Sequence, residues 1–161
     1  MKIKIIFALL ILLAVFFYAN APTAFVTKAH CTINGKMPDL RCTHGAVFNV
    51  TSEQVCVSGY ASDVRDVPQS LKDSVYEEYG IASHRPYEYE VDHFISLELG
   101  GSNDISNLWP EAAEPRPGYH EKDKVENYLH DQVCNHGMPL GEAQKEIKDW
   151  LVVYSTINGT K

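Results

Sequence analysis

Four cysteines constrain this chain more than any other feature, because each disulfide they form would tie together two separate segments. They are Cys31, Cys42, Cys56 and Cys134. All four follow an N-terminal segment typical of export, and exported chains with an even number of cysteines normally form disulfides. Of the three possible pairings, we favour a local loop closed by Cys42 and Cys56, which leaves Cys31 to pair with Cys134.

The N-terminal segment has the parts of a secretory signal peptide. Lys2 and Lys4 supply the positive start, an apolar run covers residues 5–18, and residues 19–21 (Ala-Asn-Ala) match a cleavage site. We therefore predict that residues 1–21 are removed, which leaves a secreted or periplasmic protein with no membrane contact. The alternative is an uncleaved anchor, although the apolar run is shorter than the roughly 20 residues of a membrane span.

A structural zinc site is the competing use of the cysteines, because thiolates are strong zinc ligands. Structural zinc sites commonly contain two cysteines separated by two residues. The sequence holds no such Cys-x-x-Cys pair, so it favours disulfides over zinc.

Hydrophobic periodicity and turn residues divide the remaining chain into three parts. Residues 22–86 form an N-terminal, disulfide-containing segment with one helix, which begins near Pro68 and ends at Gly80. Residues 87–134 are predicted to form a strand, a glycine-rich turn, a second strand, a proline-rich loop and a helix, which together make a ββα unit. Residues 135–161 contain a last helix, whose apolar stripe is expected to pack on that unit.

Individual segments give further expectations. From Tyr87 onward, apolar and polar residues alternate in part, which indicates the first strand of the ββα unit. A helix is predicted over residues 119–134. The last helix is predicted from about residue 140 to residue 154. Upstream, Val55–Val57 is predicted as a short strand because it is rich in β-branched residues.

A motif joins the two predicted strands of the ββα unit. It reads DHFISLELGGSNDISNLWP over residues 92–110, with His93 and Asn107 separated by 14 positions. This string resembles the core of the HNH (His-Me finger) endonuclease family, in which Asp-His, a short apolar strand, a glycine-rich turn and Asn-Leu follow one another at this spacing. The segments CTHGAVFNVTSEQVCVSGY and YHEKDKVENYLHDQVC extend a looser similarity to small exported bacterial proteins that carry such a core.

The resemblance implies a role for each matching position. His93 would be the general base that takes a proton from the water attacking phosphorus. Asp92 would be a metal ligand, and Asn107 would tether the loop that fixes the base. His120, at the start of the predicted helix, would be a second metal ligand, and Lys124, one helical turn later, would contact a substrate phosphate. For these last two positions, solvated surface residues are the alternative.

The implied fold is α+β, with a ββα-metal core flanked by helices and stabilised by disulfides. One carboxylate and one imidazole suit Mg²⁺ or Mn²⁺, and Zn²⁺ or Ni²⁺ remain open. The implied activity is metal-dependent endonucleolytic hydrolysis of phosphodiester bonds in DNA or RNA.

Net charge argues for a second hypothesis. The chain has a formal net charge of −7, and loss of Lys2 and Lys4 with the leader would make the net charge −9. Nucleic-acid binding normally uses a basic surface, and such a surface is not evident here. The alternative is a non-catalytic exported module that keeps the HNH-like scaffold and binds a protein partner or a metal.

Overall fold

The fold is α+β, with a small two-stranded sheet packed among helices. The computed structural model describes residues 31–159, and the predicted signal peptide lies outside them. None of the helices in this described part is long and apolar enough to cross a membrane. In chain order the elements are α1 (Ser52–Val55), α2 (Tyr60–Val64), α3 (Gln69–Glu78), β1 (Tyr89–His93), β2 (Leu108–Ala112), α4 (Tyr119–Asn135), α5 (Leu140–Glu146) and α6 (Trp150–Ile157).

Antiparallel pairing of β1 with β2 brings the two halves of the motif together. His93, the last residue of β1, lies opposite Leu108, the first residue of β2. The connecting segment contains two short 3-10 turns and the pair Gly100-Gly101. A Cβ atom at Gly101 would lie 1.8 Å from the carbonyl oxygen of Ile95, so only glycine fits at this position. The close turn keeps the Asp-His and Asn-Leu parts of the motif adjacent.

Two hydrophobic clusters form the core and meet directly after His93. One lies among α4, α5 and α6 and contains Ile95; the other lies between α3 and the sheet and contains Phe94. Both residues are almost fully buried. Because consecutive residues enter different clusters, the segment that follows His93 is held from both sides.

Several predicted elements are confirmed and others differ. The helix predicted over residues 119–134 is α4, and the helix predicted after Pro68 is α3. The described part of the N-terminal segment, residues 31–86, holds two further helices, α1 and α2, where one helix in all was predicted. The last predicted helix is divided by a 3-10 turn at Ile147–Asp149 into α5 and α6.

The strand predicted at Val55–Val57 is wrong, because Val55 is the last residue of helix α1. The side chain of Gln54 accepts a hydrogen bond from the backbone N–H of Thr51 at 2.9 Å. This is half of a capping box, which favours a helix start over the local β-branched preference.

The structure contains two disulfides, but the predicted pairing is wrong. Cys31 pairs with Cys42, and Cys56 pairs with Cys134. Cys56 follows α1, which packs against α4, and this packing places its Cα atom 5.6 Å from that of Cys134. The pairing is therefore decided by helix contacts that sequence spacing does not show.

The two disulfides should differ in their contribution to stability, because the loops they close differ in length. Cys56–Cys134 spans 78 positions and Cys31–Cys42 spans 11. Loop-closure entropy predicts that replacing both cysteines of the longer loop with alanine lowers the free energy of unfolding by about 4.5 kcal/mol, against about 3 kcal/mol for the shorter loop. Denaturant unfolding of the two double variants measures this, and a larger loss from the shorter loop would contradict it.

Candidate active site

Asn107 ties together the loop that joins the two strands. Its side chain is fully buried, and its Oδ1 accepts a hydrogen bond from the backbone N–H of Ile95 at 2.9 Å. Its Nδ2 donates to the carbonyl oxygens of Ile95 at 3.0 Å and Ser102 at 2.8 Å. One amide therefore satisfies three buried backbone groups and fixes the backbone that follows His93.

The imidazole of His93 is held by a second amide, that of Asn103. Nε2 of His93 lies 3.1 Å from Oδ1 of Asn103, and Nδ2 of Asn103 donates to the carbonyl oxygen of Val64 at 2.7 Å. The Val64 carbonyl can only accept, so it fixes the orientation of the Asn103 amide and leaves its oxygen facing the ring. Nε2 must then carry the proton, and we assign the lone pair to Nδ1.

The environment of His93 favours its neutral form. Burial lowers the pKa of His93 below its usual value, and the positive charges of Arg65 and Lys122 act in the same direction. The carboxylate of Asp92 and the hydrogen bond to Asn103 oppose this effect. A neutral imidazole with a free Nδ1 has the protonation state that a general base requires at neutral pH.

A buried lysine occupies the position beside Asp92. Lys122, on α4, is fully buried, and its Nζ donates to Oδ2 of Asp92 at 2.6 Å and to the carbonyl oxygen of His93 at 2.7 Å. It also donates to the carboxylate of Glu126 one turn further along the helix. The other oxygen of Asp92 accepts a hydrogen bond from the backbone N–H of His93 at 2.8 Å. Both oxygens of Asp92 are therefore engaged within the protein.

Glu111 adds a third carboxylate to this cluster from β2. It is 2% exposed, and its Oε2 lies 3.9 Å from Nζ of Lys122. Burial raises the pKa of Glu111 well above its usual value. Neither of its carboxyl oxygens has a hydrogen-bond partner among the described residues. Burial without a donor therefore favours the protonated form of Glu111.

The ionisation of the other two carboxylates follows from their distance to the lysine and their burial. Burial raises the pKa of Glu126 to about 7, against the opposing charge of Lys122. Burial also opposes ionisation of Asp92, but the charge and hydrogen bond of Lys122 hold the pKa of Asp92 below its usual value. The cluster is thus an Asp92–Lys122 ion pair surrounded by carboxyl groups that bind protons readily.

The two predicted metal ligands, Asp92 and His120, have different surroundings. His120 is exposed at the start of α4, and its ring packs on Tyr119. Lys122, two residues further along, is the α4 side chain that contacts Asp92. A metal ion at Asp92 would have to compete with the Lys122 ammonium group for the carboxylate. Lys124 is also exposed, with its Nζ 3.9 Å from Glu121.

A group of three potential metal donors occurs elsewhere in the described part of the chain. It consists of Cys56, His130 and Cys134, whose donor atoms all lie within 4.8 Å of one another. The two sulfur atoms are joined in a disulfide, so neither is available as a thiolate ligand. The group could hold a metal ion only after reduction.

The residues that complete the site were missed in the sequence for different reasons. Lys122 lies three positions before Val125 and seven before Leu129, on the apolar face of α4, and a lysine on such a face signals a buried ion pair. Asn103 lies in the glycine-rich turn, where asparagine normally indicates only turn geometry. Glu111 carries no local signal, because its burial depends on contacts with α4.

Comparison of the chain with known protein families, curated proteins and solved structures gives no match. The contacts of its own residues therefore carry the functional argument.

Replacing Lys122 tests whether the cluster depends on its internal cation. We expect Lys122→Met to lower the free energy of unfolding by about 3–5 kcal/mol at pH 8, since the largely buried Asp92 and Glu126 carboxylates lose their counter-charge. The loss should be smaller at pH 5. The pKa values of Glu111 and Glu126 are already raised, so the folded variant binds protons that the unfolded chain releases, and its stability increases as pH falls.

Lys124→Met is the matched control, because Lys124 lies on the same helix and is 59% exposed. Its effect should stay within about 0.5 kcal/mol at both pH values. Chemical denaturation of both variants at pH 5 and pH 8 makes the comparison. A Lys122→Met variant as stable as the parent chain, or one with the same loss at both pH values, would refute the proposed cluster.

Proposed function

We propose that the protein is an exported phosphodiester hydrolase of the nuclease type, with His93 as its general base. The observation that carries this proposal is the chain of hydrogen bonds from His93 through Asn103 to Val64, which leaves Nδ1 as the basic nitrogen. The Asn107 tether and the strand–turn–strand–helix order around His93 agree with the HNH-like motif of the sequence.

The proposed chemistry uses Nδ1 of His93 to remove a proton from water as its oxygen attacks phosphorus. A phosphorus–oxygen bond forms, the bond to the leaving oxygen breaks, and that oxygen takes up a proton from solvent water. The imidazolium produced is stabilised by the nearby Asp92 carboxylate and by the oxygen of Asn103, which accepts from Nε2. The ring then returns its proton to solvent.

A divalent ion would supply charge stabilisation of the phosphate in an HNH-type nuclease. Here the charge beside Asp92 belongs to Lys122, and His120 is exposed, so no step of the proposed reaction passes through an ion at these residues. Metal dependence remains a prediction from the resemblance, and the cleavage experiment below tests it directly.

A second candidate, a non-catalytic binding module, is favoured by two observations. His93 is only 2% exposed, so its ring offers little surface to a substrate. The cation of Lys122 fills the centre of the cluster, which makes that cluster a structural support for the sheet and α4. With a net charge of −7, such a module would bind a basic protein partner rather than a polyanion.

Cleavage of plasmid DNA and of RNA by the purified mature protein distinguishes the two candidates. The assay compares Mg²⁺, Mn²⁺, Zn²⁺, Ni²⁺ and EDTA, with the parent chain beside His93→Ala. We expect cleavage by the parent and a loss of about 100-fold or more in His93→Ala, as for removal of a general base.

His136→Ala is the matched control for this assay. His136 is an exposed histidine that pairs with Asp131 at 3.1 Å, and we expect its variant to cleave like the parent. Equal activity of His93→Ala and the parent would refute the assignment of the base. No cleavage in any of the five conditions would refute the hydrolase and favour the binding module.

A further inference from the structure

We propose that Arg65 is the side chain that binds a substrate phosphate beside His93, and that the substrate is a flexible single strand held through few phosphates. This inference rests on the proposed function and names the substrate class of the same site. Arg65 stands outside the HNH-like motif, which begins 27 positions later in the sequence.

Arg65 lies at the end of helix α2 that is connected to His93. It follows Val64, the last residue of α2, and caps the C-terminal end of that helix. The carbonyl of Val64 accepts from Asn103, whose oxygen contacts the His93 ring. Two hydrogen bonds therefore connect the residue before Arg65 to the base, so the end of α2 is held at the His93 side of the molecule.

The Arg65 guanidinium forms no ion pair with any residue in the described range 31–159. The chain has four arginines, and the other three form ion pairs: Arg41 with Asp39, Arg85 with Glu88, and Arg116 with Glu114. Arg65 is exposed, and no ion pair joins it to another residue in the range 31–159. Its hydrogen-bond donors are therefore available to a ligand from outside.

The positive charge of Arg65 acts on the groups around His93. The positive charge of Arg65 lowers the pKa of His93 and that of Glu90, so its field reaches both groups. The other cation acting on His93 is Lys122, which is buried and engaged with carboxylates. Arg65 is thus the exposed positive charge of the site, and a guanidinium can hold a phosphate through two parallel hydrogen bonds.

The acidic surroundings set the substrate class. Glu90 and Asp123 are exposed acidic residues, and partial burial together with the charge of Asp92 raises the pKa of each, so both carboxyl groups lie near Asp92. A duplex presents one negative charge per roughly 1.7 Å of its axis. Glu90 and Asp123 would repel those closely spaced charges. A flexible single strand can offer one phosphate to Arg65 while the rest of the chain stays in solvent.

Binding of a fluorescein-labelled, single-stranded DNA oligonucleotide tests the inference without requiring catalysis. Its phosphorothioate linkages keep the negative charge and resist hydrolysis, and EDTA removes free divalent ions. Fluorescence anisotropy is followed across a salt series for the parent, Arg65→Gln, Arg65→Lys and Arg116→Gln. Arg65 and Arg116 are both exposed, so neither substitution disturbs the core.

We expect Arg65→Gln to weaken binding by about tenfold or more, the effect of losing a charge-assisted contact. It should also reduce the slope of log affinity against log salt by about 0.7, the value for one single-strand phosphate. Arg65→Lys should retain the slope with weaker binding, and Arg116→Gln should match the parent. Duplex DNA of the same sequence should bind more weakly than the single strand.

Binding that is unchanged in Arg65→Gln, or weakened equally in Arg116→Gln, would overturn the assignment of Arg65. Tighter binding of the duplex would overturn the substrate class. The binding and cleavage assays fail separately. If binding depends on Arg65 but the protein cleaves nothing, the phosphate contact is retained and only the proposed reaction is refuted. Cleavage with Arg65-independent binding would refute only this inference.

Discussion

The ammonium group of Lys122 connects the elements on which the rest of the structure depends. It binds the side chain of Asp92 and the carbonyl of His93 on β1, and it reaches Glu111 on β2 and Glu126 on its own helix. A buried ion that loses its partner costs several kcal/mol, so displacement of α4 from the sheet is strongly unfavourable. This contact fixes the helix across the two strands.

The same contact determines how His93 is presented. Lys122 holds its carbonyl oxygen, Asp92 accepts its backbone N–H, and Asn103 holds its ring. The backbone and the imidazole are thus fixed by different elements, the first by α4 and the second by the glycine-rich turn together with α2. The arrangement leaves Nδ1 as the ring nitrogen with the lone pair, which is the atom that the proposed function uses as a base.

Local patterns predicted the parts of the fold that local interactions decide. The apolar period of α4 and the turn residues around α3 placed both helices correctly. The motif predicted two paired strands, with His93 ending the first and Asn107 directly preceding the second. The disulfide pairing depended on packing between α1 and α4, which no spacing reveals. The strand expected at Val55–Val57 failed because a helix cap outweighed its β-branched side chains.

The site itself was only partly predictable for a related reason. A lysine is normally solvated, and Lys122 is buried because carboxylates from β1 and β2 surround it, Asp92 being 30 positions away in the sequence. His120 was predicted as a metal ligand from its place at a helix start, whereas the α4 side chain that contacts Asp92 is Lys122. Arg65 gave no signal, since its relation to His93 passes through Asn103.

The internal lysine also changes how the acidic character of the chain is understood. The positive charge of Lys122 lies inside the fold, where it neutralises Asp92 and is not available to a polyanion. Under the proposed nuclease function, attraction of a nucleic acid would depend on isolated exposed cations. The proposal therefore predicts a low affinity with little salt dependence, in contrast to the strong salt dependence of proteins that neutralise many phosphates.

The most direct test of the account is the protonation state of the His93 ring, measured by long-range proton–nitrogen NMR on histidine-labelled protein at pH 7. The His93→Ala spectrum assigns the signals. We predict that Nε2 carries the proton and Nδ1 is unprotonated, and that Asn103→Ala removes this preference. A ring that carries its proton on Nδ1, or on both nitrogens, would contradict the assignment of His93 as a base held by Asn103.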